Sequence, residues 1–200
     1  MAGRSDVRAL TVSDENAAST TRIAAAARPA AAFTLANTDH AGGAGRNVTV
    51  TTTGTGDNAK TVTVVGTDVF GNALTEVITS TGSAETVAGT SIFLSISSAT
   101  CSAQYAANVS VGSGSLCGQA IFGGRTRLKG FSVTSGGTAG DVEFFDGTPE
   151  DGTVLFKSRT IGTANTVIDR NIPDEGVLFA SGMSVKYTVD VSDMMTFFFA

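Results

Sequence analysis

Apolar positions in this chain recur with a period of two, in short runs separated by glycine. Thr61-Val-Thr-Val-Val-Gly-Thr-Asp-Val-Phe-Gly-Asn-Ala-Leu-Thr-Glu-Val-Ile-Thr79 reads as one complete β-hairpin. Val62 and Val64 alternate with Thr61 and Thr63, as in a strand with one buried face. Asp68 to Asn72 supplies turn chemistry, with Gly71 and Asn72 free to adopt positive φ. Leu74, Val77 and Ile78 form the returning run. The same pattern predicts further strands over Asn47–Thr52, Thr61–Val65, Leu74–Ser80, Ser91–Ser97 and Ala107–Val111. Gly112-Ser-Gly-Ser115 then reads as a linker or a tight crossing.

A second series follows. Strands are expected over Leu128–Thr134, Asp141–Asp146, Thr153–Arg159, Thr166–Arg170, Gly176–Phe179, Ser184–Val189 and Met194–Phe199, with glycine or proline turns between them. Short strands at roughly 8–15-residue spacing are the signature of sandwiches and small barrels. The expected fold class is therefore all-β. It comprises two antiparallel β-sandwich or jelly-roll-like domains, residues 46–115 (immunoglobulin-like in outline) and 116–200. Residues 1–45 break the pattern. Ala17 to Ala32 is alanine-dense, and Ala24–Ala27 could form a helical turn that Pro29 would cut. Ala41-Gly-Gly-Ala-Gly45 is a flexible joint. Side chains this small build no core alone, so the segment is expected to be an extended arm laid along another subunit.

Composition sharpens this picture. Glycine is abundant at 24 residues, proline is scarce at 3 and tryptophan is absent, a mixture suited to many short strands joined by glycine turns. The formal net charge is −5 with no Lys/Arg cluster, which argues against direct nucleic-acid binding. No run approaches the roughly 20 apolar residues of a membrane span, and no apolar stretch follows Arg4 and Arg8 as in a signal peptide. Charged residues make up only 16% of the chain, so some of its surface is expected to be hidden against partners in a homo-oligomer or larger assembly.

Candidate chemistry is sparse. His40 is the only histidine and lies in the glycine joint, where it is read as a solvated or interface residue without a nucleophile to activate. Asp141 and Glu143 share one strand face. A glycosidase pair needs a sugar groove, usually lined by Trp or Tyr, and only Tyr105 and Tyr187 are available. Asp146, Glu150 and Asp151 form either a solvated acidic turn or a site for Ca²⁺. Cys101 and Cys117 have no zinc spacing and read as buried thiols or as a cross-strand disulfide, which a reducing cytoplasm disfavours. No catalytic, cofactor-binding or metal residue is assigned, and no cofactor is expected.

Val62 to Thr79, Val87-Ala-Gly-Thr-Ser-Ile-Phe93 and Ala106-Ala-Asn-Val-Ser-Val-Gly112, following an alanine-rich start, resemble small virion structural proteins of tailed bacteriophages. Ile172-Pro-Asp-Glu-Gly-Val-Leu-Phe179 and the final strand are similar to another small phage structural module. The resemblance covers most of the chain and implies a non-enzymatic virion protein. The first reading is a capsid cement or decoration protein bridging major capsid subunits. A neck or tail adaptor or a fibre-base protein is the alternative, and a carbohydrate-binding receptor protein is a third. The expected partners are the major capsid protein and copies of this chain, within a virion made in the bacterial cytoplasm. The alanine-rich arm and the Phe-rich terminus depart from the pattern and suit extra contacts. Consecutive Phe197, Phe198 and Phe199 must point to alternating strand faces. These three, with Arg22 and Arg28 of the arm, are the candidate interface residues.

Overall fold

The computed structural model describes residues 6–13 and 17–200. The chain is all-β with antiparallel sheets and no helix among these residues. Among the described residues no helix is long and apolar enough to cross a membrane. In chain order the strands are β1 (Arg8–Ser13), β2 (Ser19–Ala27), β3 (Gly45–Thr52), β4 (Thr61–Thr67), β5 (Ala73–Thr79), β6 (Thr86–Phe93), β7 (Ser95–Cys101), β8 (Val109–Phe122), β9 (Thr126–Thr134), β10 (Asp141–Asp146), β11 (Thr153–Arg159), β12 (Val167–Asn171), β13 (Val177–Phe179), β14 (Met183–Thr188) and β15 (Met194–Phe199). They fall into two compact units. One is Asn16–Cys117, and the other is Gly118–Ala200 together with Met1–Glu15, whose described part carries β1.

In the N-terminal unit, β5-β4-β7 form one sheet, while β6, β3 and β8 lie side by side in the other with β2 also on β8. Val62, Val64, Ile96 and Ala99 from the first sheet share a core with Val48, Val50, Val109, Val111 and Ile23 from the second. The β4–β5 hairpin has the predicted turn. The Asp68 carboxylate accepts hydrogen bonds from the Phe70 and Asn72 amides at 2.8 and 2.9 Å, and Gly71 takes φ +86°. The expected strand Ser91–Ser97 is instead two strands, β6 and β7, divided at Leu94.

The alanine-rich segment is built into this unit. Its predicted helical turn is part of strand β2, because Ile23 and Ala24 are needed in the core, where they are 0% and 1% exposed. Residues 31–39 then cover the outer edge of β7. Phe33 N–H donates to the Ala99 carbonyl at 2.9 Å, and Ile96 N–H donates to the Thr38 carbonyl at 2.7 Å. Over the described residues, then, the expected arm supplies β1 to one unit and β2 with the edge cover to the other. The remainder of the expected arm, Met1–Ser5 and Asp14–Asn16, lies outside the described residues.

Gly112-Ser-Gly-Ser115, read from sequence as a linker or a tight crossing, lies inside the long strand β8, so it is no linker. The glycines are there for close approach. A Cβ on Gly112 would stand 2.1 Å from the Ser19 carbonyl oxygen, and one on Gly114 would stand 2.2 Å from the Asn47 side chain.

In the C-terminal unit, one sheet runs β1-β15-β9-β12 with β13 also on β9, and β11-β10-β14 lie side by side in the other. Phe131 on β9 and Phe197 on β15 face Phe144 on β10 with ring centroids 5.3 and 5.6 Å apart, and Phe156 on β11 lies 5.6 Å from Phe131. Tilted and edge-on rings of this kind add to the apolar burial that holds two sheets together.

Candidate interaction surface

Strand β15 sits between β1 and β9, so it is not a sheet edge. Alternation along it separates the three phenylalanines as period two requires. Phe197 is fully buried, Phe199 is 6% exposed against Phe122 at 5.7 Å, and Phe198 is 40% exposed on the opposite face. Register builds that outer face row by row. Ala9, Phe198, Gly130 and Asn171 form one row, and Thr11, Thr196, Ser132 and Asp169 the next. Ser13, Met194, Thr134 and Val167 form the third. Hydroxyls occupy the middle, and Phe198, Met194 and Val167 are exposed apolar groups at its ends. Phe198 also borders a groove of about 390 Å³ lined by Val7, Lys129, Asp169 and Arg170. Met194, Val7 and Val167 were missed from sequence. The alternation of β12 was the available signal for Val167, whereas Val7 joins the face only through the non-local pairing of β1.

The two candidate arginines belong to the N-terminal unit. Arg22 pairs with Asp39 at 2.9 Å, and Arg28 Nε donates to the Tyr105 carbonyl at 3.1 Å. Both therefore make intramolecular contacts. Arg28 also borders a shallow groove of about 470 Å³ lined by Ala25–Ala27, Phe33 and Leu35.

His40 is not solvated. It is 3% exposed, and its Nδ1 lies 2.7 Å from the hydroxyl of buried Ser113. Burial, with Arg46 close by, lowers its pKa to about 4, so the imidazole is neutral at pH 7. A Ser–His contact with neither atom open to solvent offers no route for a substrate. The carboxylates on β10 are similarly engaged. Glu143 bonds Lys157 and lies 3.3 Å from Lys186, while Asp141 pairs with Arg159 at 3.5 Å. Burial would raise the pKa of Glu143, but the two lysines outweigh it and the net shift is downward. Asp146 accepts the Ser181 amide at 2.6 Å. Among the described residues no three His, Cys, Asp or Glu side chains come together to hold a metal ion. Cys101 and Cys117 are both buried and form no disulfide, and burial pushes the Cys101 thiol up to about 11.

Comparison with protein-family models, with curated proteins and with solved structures finds no match to this chain.

Proposed function

We propose that the chain is a non-enzymatic structural protein of a tailed-phage virion, a capsid cement or decoration protein bridging major capsid subunits and stabilising the shell. We read each unit as a β-sandwich domain, the C-terminal one jelly-roll-like. The observation that carries the reading is the outer face of β1-β15-β9-β12. It is a hydroxyl-rich β-surface with Phe198, Met194 and Val167 exposed at 40, 48 and 53%. Exposed apolar groups on an ordered sheet face mark an assembly surface better than a catalytic one. The virion context comes from the sequence resemblance. Stable contacts of this type bury roughly 1,200–2,000 Å². A rigid β-module spanning the junction between shell subunits would add that burial at each copy and oppose their separation under internal DNA pressure. The partners would be the major capsid protein and further copies of this chain, in a virion made in the host cytoplasm.

Quantitative mass spectrometry of purified particles tests the reading. Hundreds of copies spread over the shell are expected. Six or twelve copies at one vertex would move the protein to the neck or tail, and absence from the particle would overturn the structural role. Binding on a glycan array without shell binding would favour a receptor function.

A further inference from the structure

We propose that β1 is an exchangeable strand, and that the edge of β15 which it covers accepts Arg8–Ser13 from a second copy of this chain in the same register. The attachment of β1 is chiefly main-chain. Six residues pair with β15, from Arg8 opposite Phe199 to Ser13 opposite Met194. Of their side chains only Val12 is buried and Leu10 partly so, while the other four are exposed. Arg8 adds a guanidinium 5.9 Å from the Phe122 ring centre, a contact worth little at an exposed site. Main-chain hydrogen bonds read register and direction rather than which molecule supplies the strand.

The neighbouring strand makes an empty edge costly. With β1 gone, β15 would present unpaired N–H and C=O groups beside Met195, Phe197 and Phe199, which are 1, 0 and 6% exposed. The edge must be filled, and an identical strand from another copy fills it with the same bonds and the same Val12. Connectivity makes the transfer simple. β1 belongs to the C-terminal unit, whereas β2, starting at Ser19, belongs to the N-terminal unit. Releasing β1 breaks its ladder with β15 and leaves the pairing of β2 with β8 in the other unit untouched. Exchange of identical elements is a low-cost route to association, and concentration decides between closed monomer and exchanged dimer. The inference concerns the isolated chain and does not depend on the virion reading.

The test uses Thr11 and Thr196, whose hydroxyls meet at 3.0 Å across the β1–β15 ladder. T11C and T196C are made as two single variants, one carrying a mass label, and as one double variant. The single variants are mixed, unfolded, refolded together under reductant and oxidised only after folding. Exchange predicts a covalent dimer of one labelled and one unlabelled copy, with the bridge mapped to positions 11 and 196. Its yield should rise with protein concentration towards roughly half of all dimers, the statistical share of mixed pairs. The double variant should bridge within one chain at low concentration and between chains at high concentration. Bridging that stays within the double variant's own chain at every concentration, with no mixed dimer from the singles, overturns the proposal. Light scattering of the unmodified chain after the same refolding reads the equilibrium without cysteines, and a monomer at every concentration would overturn it equally.

Discussion

The two units close a core between two sheets with different side chains. In the N-terminal unit the interior is mostly aliphatic, built from Val48, Val50, Val62, Val64, Val109, Val111, Ile23 and Ile96, with Tyr105, Phe93 and Phe33 as its rings. In the C-terminal unit the centre is a cluster of edge-on rings, Phe131, Phe144, Phe156 and Phe197. Small β-branched residues suit strands but fill less space per position. The N-terminal unit supplements them with buried polar pins. The Asp57 carboxylate takes the Ala106 amide at 2.6 Å and the Lys60 ammonium at 2.8 Å. Asn47 bridges the Gly89 carbonyl and the Leu116 amide at 2.7 and 2.9 Å. His40 holds Ser113. One unit is thus fixed largely by ring packing, and the other by aliphatic packing plus directed hydrogen bonds.

Truncating a central ring should have the largest effect. Phe144→Ala removes contacts with Phe131, Phe156 and Phe197 and should cost about 3–5 kcal/mol. Urea denaturation with residue-resolved hydrogen exchange should show the loss over β9, β10 and β15 while β3 and β4 keep their protection. Equal loss in both units would erase the distinction.

Acid should strike the other unit first. The unfolded chain takes up a proton on His40 near pH 6.5, whereas the folded chain waits until about pH 4. Above pH 6.5 both states are neutral and the stability is complete. As pH falls from 6.5 to 4, the unfolded state gains the proton first, so stability declines by roughly 3 kcal/mol across that window. Denaturation midpoints between pH 7.5 and 4.5 should show this slope, and His40→Gln should flatten it. An unchanged slope in H40Q would remove His40 as its source.

A smaller loss is expected from Asp57→Asn, about 1–3 kcal/mol, because the amide can still accept from Ala106 while Lys60 loses its counter-charge. Burial raises the Asp57 pKa, but the Ala106 amide and Lys60 overcome it, so the net shift is downward. The Asp57 contribution is therefore lost only below the ordinary carboxylate range, separately from that of His40. Smallest for folding is Phe198→Ser, expected within about 1 kcal/mol of the parent. Thermal melts should barely move, while the proposed shell role predicts weaker retention on purified shells. A large fall in melting temperature would place Phe198 in the fold rather than on a surface.

Local pattern made much of this legible. The hairpin through Asp68–Asn72 and the strands Asp141–Asp146, Thr153–Arg159 and Met194–Phe199 have the bounds that alternation and turn residues predict. The unequal burial of Phe197 and Phe198 follows from the same period. What pattern could not reach depends on distant partners. Alanines have weak strand preference, and β2 is a strand because β8 and the core receive Ile23 and Ala24. Gly112 and Gly114 read equally as a linker or a tight crossing until the segments they abut, Ser19–Thr20 and Asn47, are known. His40 beside glycines looks exposed, and its burial depends on Ser113, 73 residues away in sequence.

The sheet of β5, β4 and β7 turns an outer face to solvent that bears Thr61, Thr63, Val65, Thr67, Thr75, Val77, Thr79, Ser98 and Thr100. None of these side chains carries a charge. Its hydration rests on hydroxyl groups that neither titrate between acid and alkaline conditions nor gather counterions. Brine and fresh water should therefore meet nearly the same surface there. The ionic-strength response of the molecule should come from elsewhere, notably from the Lys157, Glu143, Lys186, Arg159 and Asp141 ladder.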